Sequence, residues 1–200
     1  MRTLNQRRPV AATLLALTLG FFASASFARD DDDRDQGDRF AAQLSSYNEV
    51  HFIAATPPAL RGAISSQARG SFKATIDDNG QMIHYELSYQ GLESAVTQAH
   101  IHFGQRHTAG GIVVWLCQTA GVPAPAAVSA VTPTCPQEGT VSGTIAPTQV
   151  LTVTGQGIDA GEFTELVRAI RAGITYANVH SAVFAPGEIR GQIRARHRHD

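Results

Sequence analysis

Two alternating runs that meet at Asp77-Asp78-Asn79-Gly80 constrain this chain more than any other stretch. Phe72, Ala74 and Ile76 alternate with Ser71, Lys73 and Thr75. Past the turn, Ile83, Tyr85, Leu87 and Tyr89 alternate with Met82, His84, Glu86 and Ser88. Successive side chains on a strand point to opposite faces, so each run carries one apolar and one polar face. Asn-Gly is a strong hairpin signal because both residues tolerate the positive φ that a tight turn needs. The pair therefore reads as a half-buried β-hairpin joined at Asn79-Gly80.

Further short strand patterns follow the same logic. They cover residues 40–44, 96–103, 112–117, 140–145, 150–154, 174–181 and 188–194. Residues 112–117 are nearly all apolar, which predicts a central strand covered on both faces. One segment breaks the period of two: Phe163, Leu166, Val167 and Ile170 follow the helical i, i+3, i+4, i+7 spacing. Asp159 three residues before Glu162 resembles a capping box, and Gly173 suits the position just past the helix. Many short strands with turns at fairly regular spacing and one short amphipathic helix predict an all-β fold, an antiparallel β-sandwich with Greek-key-like connections.

The ends read differently from the middle. Arg2, Arg7 and Arg8 precede an uncharged apolar run over residues 10–22, and Ser26-Phe27-Ala28 supplies small residues at −3 and −1. That is the pattern of a secretory signal peptide over residues 1–28. The apolar run is short for a membrane span, so no span is expected after cleavage. Residues 29–39, with Asp30-Asp31-Asp32-Asp33-Arg34-Asp35, read as a solvated acidic leader, and residues 195–200 as a polar tail. Between them lies one domain, residues 40–194. Loss of Arg2, Arg7 and Arg8 leaves 172 of 200 residues, with 13 of the 16 basic residues against 17 acidic ones, a net charge of −4. With no basic stripe, nucleic acid is not an expected partner.

Cys117 and Cys135 are the only two cysteines. In an exported protein an even pair is expected to form a disulfide. Here it would close a Pro/Ala-rich loop. No Cys-x-x-Cys spacing points to thiol redox chemistry.

The chemistry-bearing residues are histidines. His100 and His102 stand two apart in a strand pattern, so they share a face while Ala99, Ile101 and Phe103 share the other. With the distant His180 they make a candidate copper or zinc site through neutral imidazoles. Glu188 is a candidate fourth ligand or a group that orients an imidazole. The alternative is a buried polar cluster in which the histidines satisfy backbone groups and Glu188 pairs with Arg190, two residues along the same strand face. A nucleophilic enzyme finds little support. There is no Gly-x-Ser-x-Gly elbow, and Ser181 faces away from the adjacent His180.

These pieces come in a recognisable order: Leu44 with Asn48-Glu49-Val50, Gly70-Ser71-Phe72 with Ile83, Tyr85 and Leu87, Ala99-His100-Ile101-His102-Phe103-Gly104, and Gly110-Gly111-Ile112-Val113-Val114. The segment 172–181 and Gly187-Glu188-Ile189-Arg190-Gly191-Gln192-Ile193 complete the set. Together they resemble a CHRD domain, the repeated module of chordin that also occurs singly in bacterial exported proteins. The chain departs from the family where His51-Phe52 stand in place of prolines and in the segment 181–184. The resemblance implies an extracytoplasmic, β-rich domain, periplasmic or extracellular, with no settled activity. The His-x-His strand is also similar to a copper-ligand strand of copper/zinc superoxide dismutase, over three residues only; the other dismutase ligands and their spacing are not found. The expected function is a non-catalytic binding or structural module acting on an extracytoplasmic protein or surface component. The alternative is a copper- or zinc-binding protein with redox chemistry.

Overall fold

β1 (Arg39–Ser45) holds the architecture together because it is paired along both edges. In the computed structural model, which describes residues 38–52, 61–77 and 79–196, it is followed by β2 (His51–Phe52), β3 (Arg61–Gly62), β4 (Arg69–Ile76), β5 (Ile83–Gln90), β6 (Val96–Phe103) and β7 (Gly111–Cys117). Next come the short helix α1 (Ala126–Ser129), β8 (Gly139–Ile145), α2 (Phe163–Arg171), β9 (Thr175–Ser181), β10 (Ile189–Gln192) and β11 (Arg194–Ala195). The expected signal peptide, nearly all of the acidic leader and residues 197–200 of the tail lie outside the described residues.

β2 and β3 form a small antiparallel ribbon. The other nine strands form a single antiparallel sheet in the order β7-β6-β9-β10-β1-β4-β5-β8, with β11 alongside β1. One face of β1 is apolar: Phe40, Ala42 and Leu44 are buried while Gln43 is exposed. Its full length pairs with β4, from Arg39↔Thr75 to Ser45↔Arg69. Its other edge meets β10 at Ser45↔Arg190 and β11 at Phe40↔Ala195. That double pairing turns what would be two stacked layers into one continuous sheet. The expected all-β antiparallel fold is present, and its arrangement is barrel-like rather than a sandwich.

The end strands β7 and β8 approach each other, and one side chain bridges them. Tyr85 on β5 lies opposite Gly143 on β8, and its Oη donates to the Leu116 carbonyl on β7 at 2.6 Å. The ring crosses β8 where there is no side chain: a Cβ on Gly143 would meet Tyr85 Oη at 2.8 Å and Cε1 at 2.9 Å. The interior is filled by Phe40, Phe72, Ile83, Leu87, Ile101, Leu116, Ile145 and Ile189. Helix α2 adds Phe163, Leu166, Val167 and Ile170 to that core. At its end Gly173, at φ 68°, donates to Ile170, and Ile174 donates to Ala169. These bonds satisfy carbonyls that the helix end would otherwise leave open.

Several local expectations are corrected. β7 is an end of the sheet rather than a central strand. It is still covered on both faces, because Val113, Val114 and Leu116 enter the main core while Trp115 packs with Ala124 and Val128. Residues 150–154 do not form a strand; the positive φ of Gly155 and Gly157 turns the chain after a lone bridge, Val153↔Ile158. The hairpin loop is longer than an Asn-Gly turn, since pairing stops at Ile76↔Ile83. Asp77 Oδ1 accepts from the N–H groups of Gln81 and Met82 and shapes that loop. The expected disulfide, Cys117–Cys135, is present and ties the segment after β7 to the sheet.

Candidate metal centre

The register of β6 and β9 builds the site. His100 lies opposite Asn178, His102 opposite Tyr176, and Gln98 opposite His180. These six side chains share one face of the sheet. The alternate residues Ala99, Ile101, Ala177 and Val179 point the other way, into the main core. The histidines therefore sit on the outer face of the barrel-like sheet. They are nonetheless buried, with His100 0%, His102 8% and His180 4% exposed. Trp115 supplies one wall, its ring centroid 4.3 Å from that of His100 in an edge-on contact.

One ligand nitrogen from each of His100, His102 and His180 lies within 4.8 Å of the others. Hydrogen bonding fixes which nitrogens carry protons. His102 Nδ1 is 2.9 Å from the Gly110 carbonyl, and His180 Nδ1 is 2.8 Å from the Ala185 carbonyl. A carbonyl only accepts, so both Nδ1 atoms are donors, and each Nε2 of the neutral ring carries a lone pair. His180 Nε2 then accepts from His100 Nδ1 at 3.2 Å. This leaves the lone pair of His100 Nε2 over. Among the described residues His100 Nε2 and His102 Nε2 are both buried without a hydrogen bond of good geometry, and the Asn178 side chain is the polar group nearest in effect to His102. Two unsatisfied acceptors in one buried cluster cost free energy on the order of 1–3 kcal/mol each. An ion that takes both lone pairs removes that cost.

Electrostatics keeps the rings neutral. Burial drives His102 and His180 down to about 4. At His102 the Gly110 carbonyl and the Asn178 side chain oppose that effect while the charges of His180 and Arg190 add to it, and at His180 the Ala185 carbonyl opposes it. His100 is lowered well below the ordinary imidazole value by burial, then by His180 and His102. All three are unprotonated at neutral pH, the form that ligates metal.

The Tyr176 ring stacks on His102 at 4.7 Å, and the Arg190 guanidinium lies over Tyr176 with Cζ 3.3 Å from the ring centroid. The expected Glu188–Arg190 pair does not form among the described residues. Arg190 donates to the Thr108 carbonyl at 2.7 Å and to the Gln105 carbonyl at 2.9 Å. Glu188 Oε1 accepts from the Glu93 N–H at 3.0 Å. Glu188 lies outside the three-histidine group, so it is not positioned as a fourth ligand. The carboxylate that faces Arg190 is Glu49, an acid the motif reading did not single out. Burial raises its pKa, while the Val50 N–H, Arg190 and Asn178 lower it. Gly187 makes room for this carboxylate: a Cβ there would fall 2.4 Å from Glu49 Oε2.

No match was found among curated proteins or among solved structures. The family model of the CHRD domain matches residues 40–193, and over that span, which contains the histidine strands, the core and the disulfide, the chain belongs to the CHRD family.

Proposed function

We propose that the domain is a non-catalytic binding module that works outside the cytoplasm and holds one copper or zinc ion between His100, His102 and His180. The observation that carries this reading is the polarity of the three rings. Backbone carbonyls anchor two of them through Nδ1, two Nε2 atoms are buried without a hydrogen bond of good geometry among the described residues, and the third lone pair, that of His180 Nε2, passes to the ion when it gives up the bond from His100 Nδ1. Carbonyl anchoring of the far nitrogen is the usual support of an imidazole ligand, since it fixes tautomer and orientation. An ion at about 2.0–2.1 Å from three nitrogens, in trigonal to tetrahedral geometry, holds them about 3.3–3.6 Å apart, so nitrogens as far as 4.8 Å apart would draw in by roughly an ångström or slightly more on binding. The disulfide supports an extracytoplasmic setting. The partner would be a protein or surface component of that compartment.

The test is metal content and tryptophan fluorescence of the untagged mature protein, compared with His100→Gln/His102→Gln. Trp115 is the sole tryptophan and touches His100. Copper(II) at the site should therefore quench its emission, whereas zinc, with a filled d shell, should not. Stoichiometric metal that the folded double variant loses supports the reading. Wild-type protein that stays metal-free and unquenched after loading with either ion overturns it and leaves the histidines as a packed polar cluster.

A further inference from the structure

Arg190 also lines a second space, a cavity of about 200 Å³ bordered by Arg106 and Arg194, with His107 and the amides of Gln43, Asn48 and Gln192. We propose that this cavity binds a small doubly charged oxyanion, a phosphate group. Among the described residues no carboxylate lines it. Arg106 and Arg194 make no ion pair among the described residues. Arg190, 2% exposed, lines it from within the sheet, and among the described residues the buried Glu49 is the carboxylate that acts on it, beside the Tyr176 ring. Among the described residues, three guanidinium groups against that single acid leave an excess of about two positive charges, which a dianion neutralises.

The cavity wall is built in advance. Arg190 donates to the carbonyls of Gln105 and Thr108, and the Thr108 N–H donates back to Gln105 at 3.3 Å. Between these anchors His107 adopts φ 64°, the only described non-glycine residue in the left-handed region. Such a conformation is strained for a residue with a side chain and persists only where its surroundings impose it. Here it carries Arg106 and His107 to the wall of the cavity. Arg194 comes from β11 on the opposite side, and Gln43 stands on the polar face of β1. The guanidinium groups of Arg106 and Arg194, with side-chain amides around the same small space and the charge of Arg190 behind them, match the acceptor-rich surface of a phosphate.

Isothermal titration of the mature protein at low salt, with inorganic phosphate and with a hexose phosphate as probes, tests the site. The comparison proteins are Arg106→Gln, Arg194→Gln and the double variant; both side chains are exposed, so the fold should persist, as a thermal melt would verify. The expected result is saturable phosphate binding that weakens about tenfold in each single variant and is lost in the double, in keeping with removal of one charge-assisted bond at a time. Added sodium chloride should weaken it further through screening. Tighter binding of the ester would assign the site to a sugar-borne phosphate; equal or weaker ester binding would assign it to the free ion. Absence of binding by wild type, or the same affinity in the folded double variant, overturns the proposal.

Discussion

His100 Nδ1 and His180 Nε2 lie 3.2 Å apart across β6 and β9, although 80 residues separate them in the chain. They are not direct cross-strand partners. His100 stands opposite Asn178 and His180 opposite Gln98, so the two rings meet on a diagonal. Diagonal neighbours are within reach of ring-sized side chains. That contact holds two neutral imidazoles together in a space that excludes water, and its consequences can be measured.

Acid should destabilise the metal-free protein before its carboxylates titrate. The unfolded histidines take up protons near 6.5, whereas folded His102 and His180 resist until about 4. Between those values the unfolded chain binds more protons, so stability rises with pH across the window. It is fully present above 6.5 and lost as pH falls toward 4, by an amount on the order of 3 kcal/mol per imidazole. Urea unfolding at about pH 7.5 and about pH 5 should show this loss, and His102→Gln should show less of it. An equal loss in both proteins would mean that His102 is not held neutral.

Metal should stabilise the fold. An ion present at about a hundred times its dissociation constant adds about 2.7 kcal/mol if it binds only the folded state. Zinc should therefore raise the melting temperature and EDTA should return it to the starting value. His102→Gln should not respond to either.

Closing the sheet depends on a glycine. Gly143→Ala would drive a methyl group into the Tyr85 ring and pull its hydroxyl from Leu116. The expected cost is about 1–3 kcal/mol, as for overpacking. Tyr85→Phe loses only the hydrogen bond, about 1 kcal/mol, and leaves the Leu116 carbonyl unpaired. Chemical denaturation should rank Gly143→Ala as the more damaging.

Arg190→Lys keeps the charge and still fails as a substitute. Lysine has no planar fork to serve two carbonyls while lying flat on Tyr176. Hydrogen exchange should rise in residues 104–110, and stability should fall by about 2–3 kcal/mol. Unchanged exchange in that loop would show that something else holds it.

Replacing both cysteines by serine should cost about 3 kcal/mol for a loop of this length. Cys117 and Cys135 are 18 positions apart in the chain. Melting the wild type with and without a reductant should give a similar difference.

The sequence told the face of the site but not its neighbours. A period of two is enough to place His100 and His102 together, and the third histidine followed from chemistry. Glu188 and Arg190 have the spacing of a pair, yet Arg190 is taken by two loop carbonyls, and backbone acceptors leave no mark in a side-chain pattern. Trp115, Tyr176 and Glu49 reach the site through register and a loop contact, which only the folded chain defines. The same holds for the architecture. Alternation announced the strands but not their order, and it is the second pairing of β1 that separates a continuous barrel-like sheet from a sandwich.

The double pairing of β1 also sets an order of events. β4 follows within a few dozen residues and can cover one edge early, but β10 and β11 come after every other described strand. Until they dock, β1 presents an open row of N–H and C=O groups, a template for another chain. Contacts so distant in sequence are slow to form. The strand that unites the finished sheet is thus the most exposed one while the protein is being made, and a chain that loses β10 should be captured by its own copies before it can close.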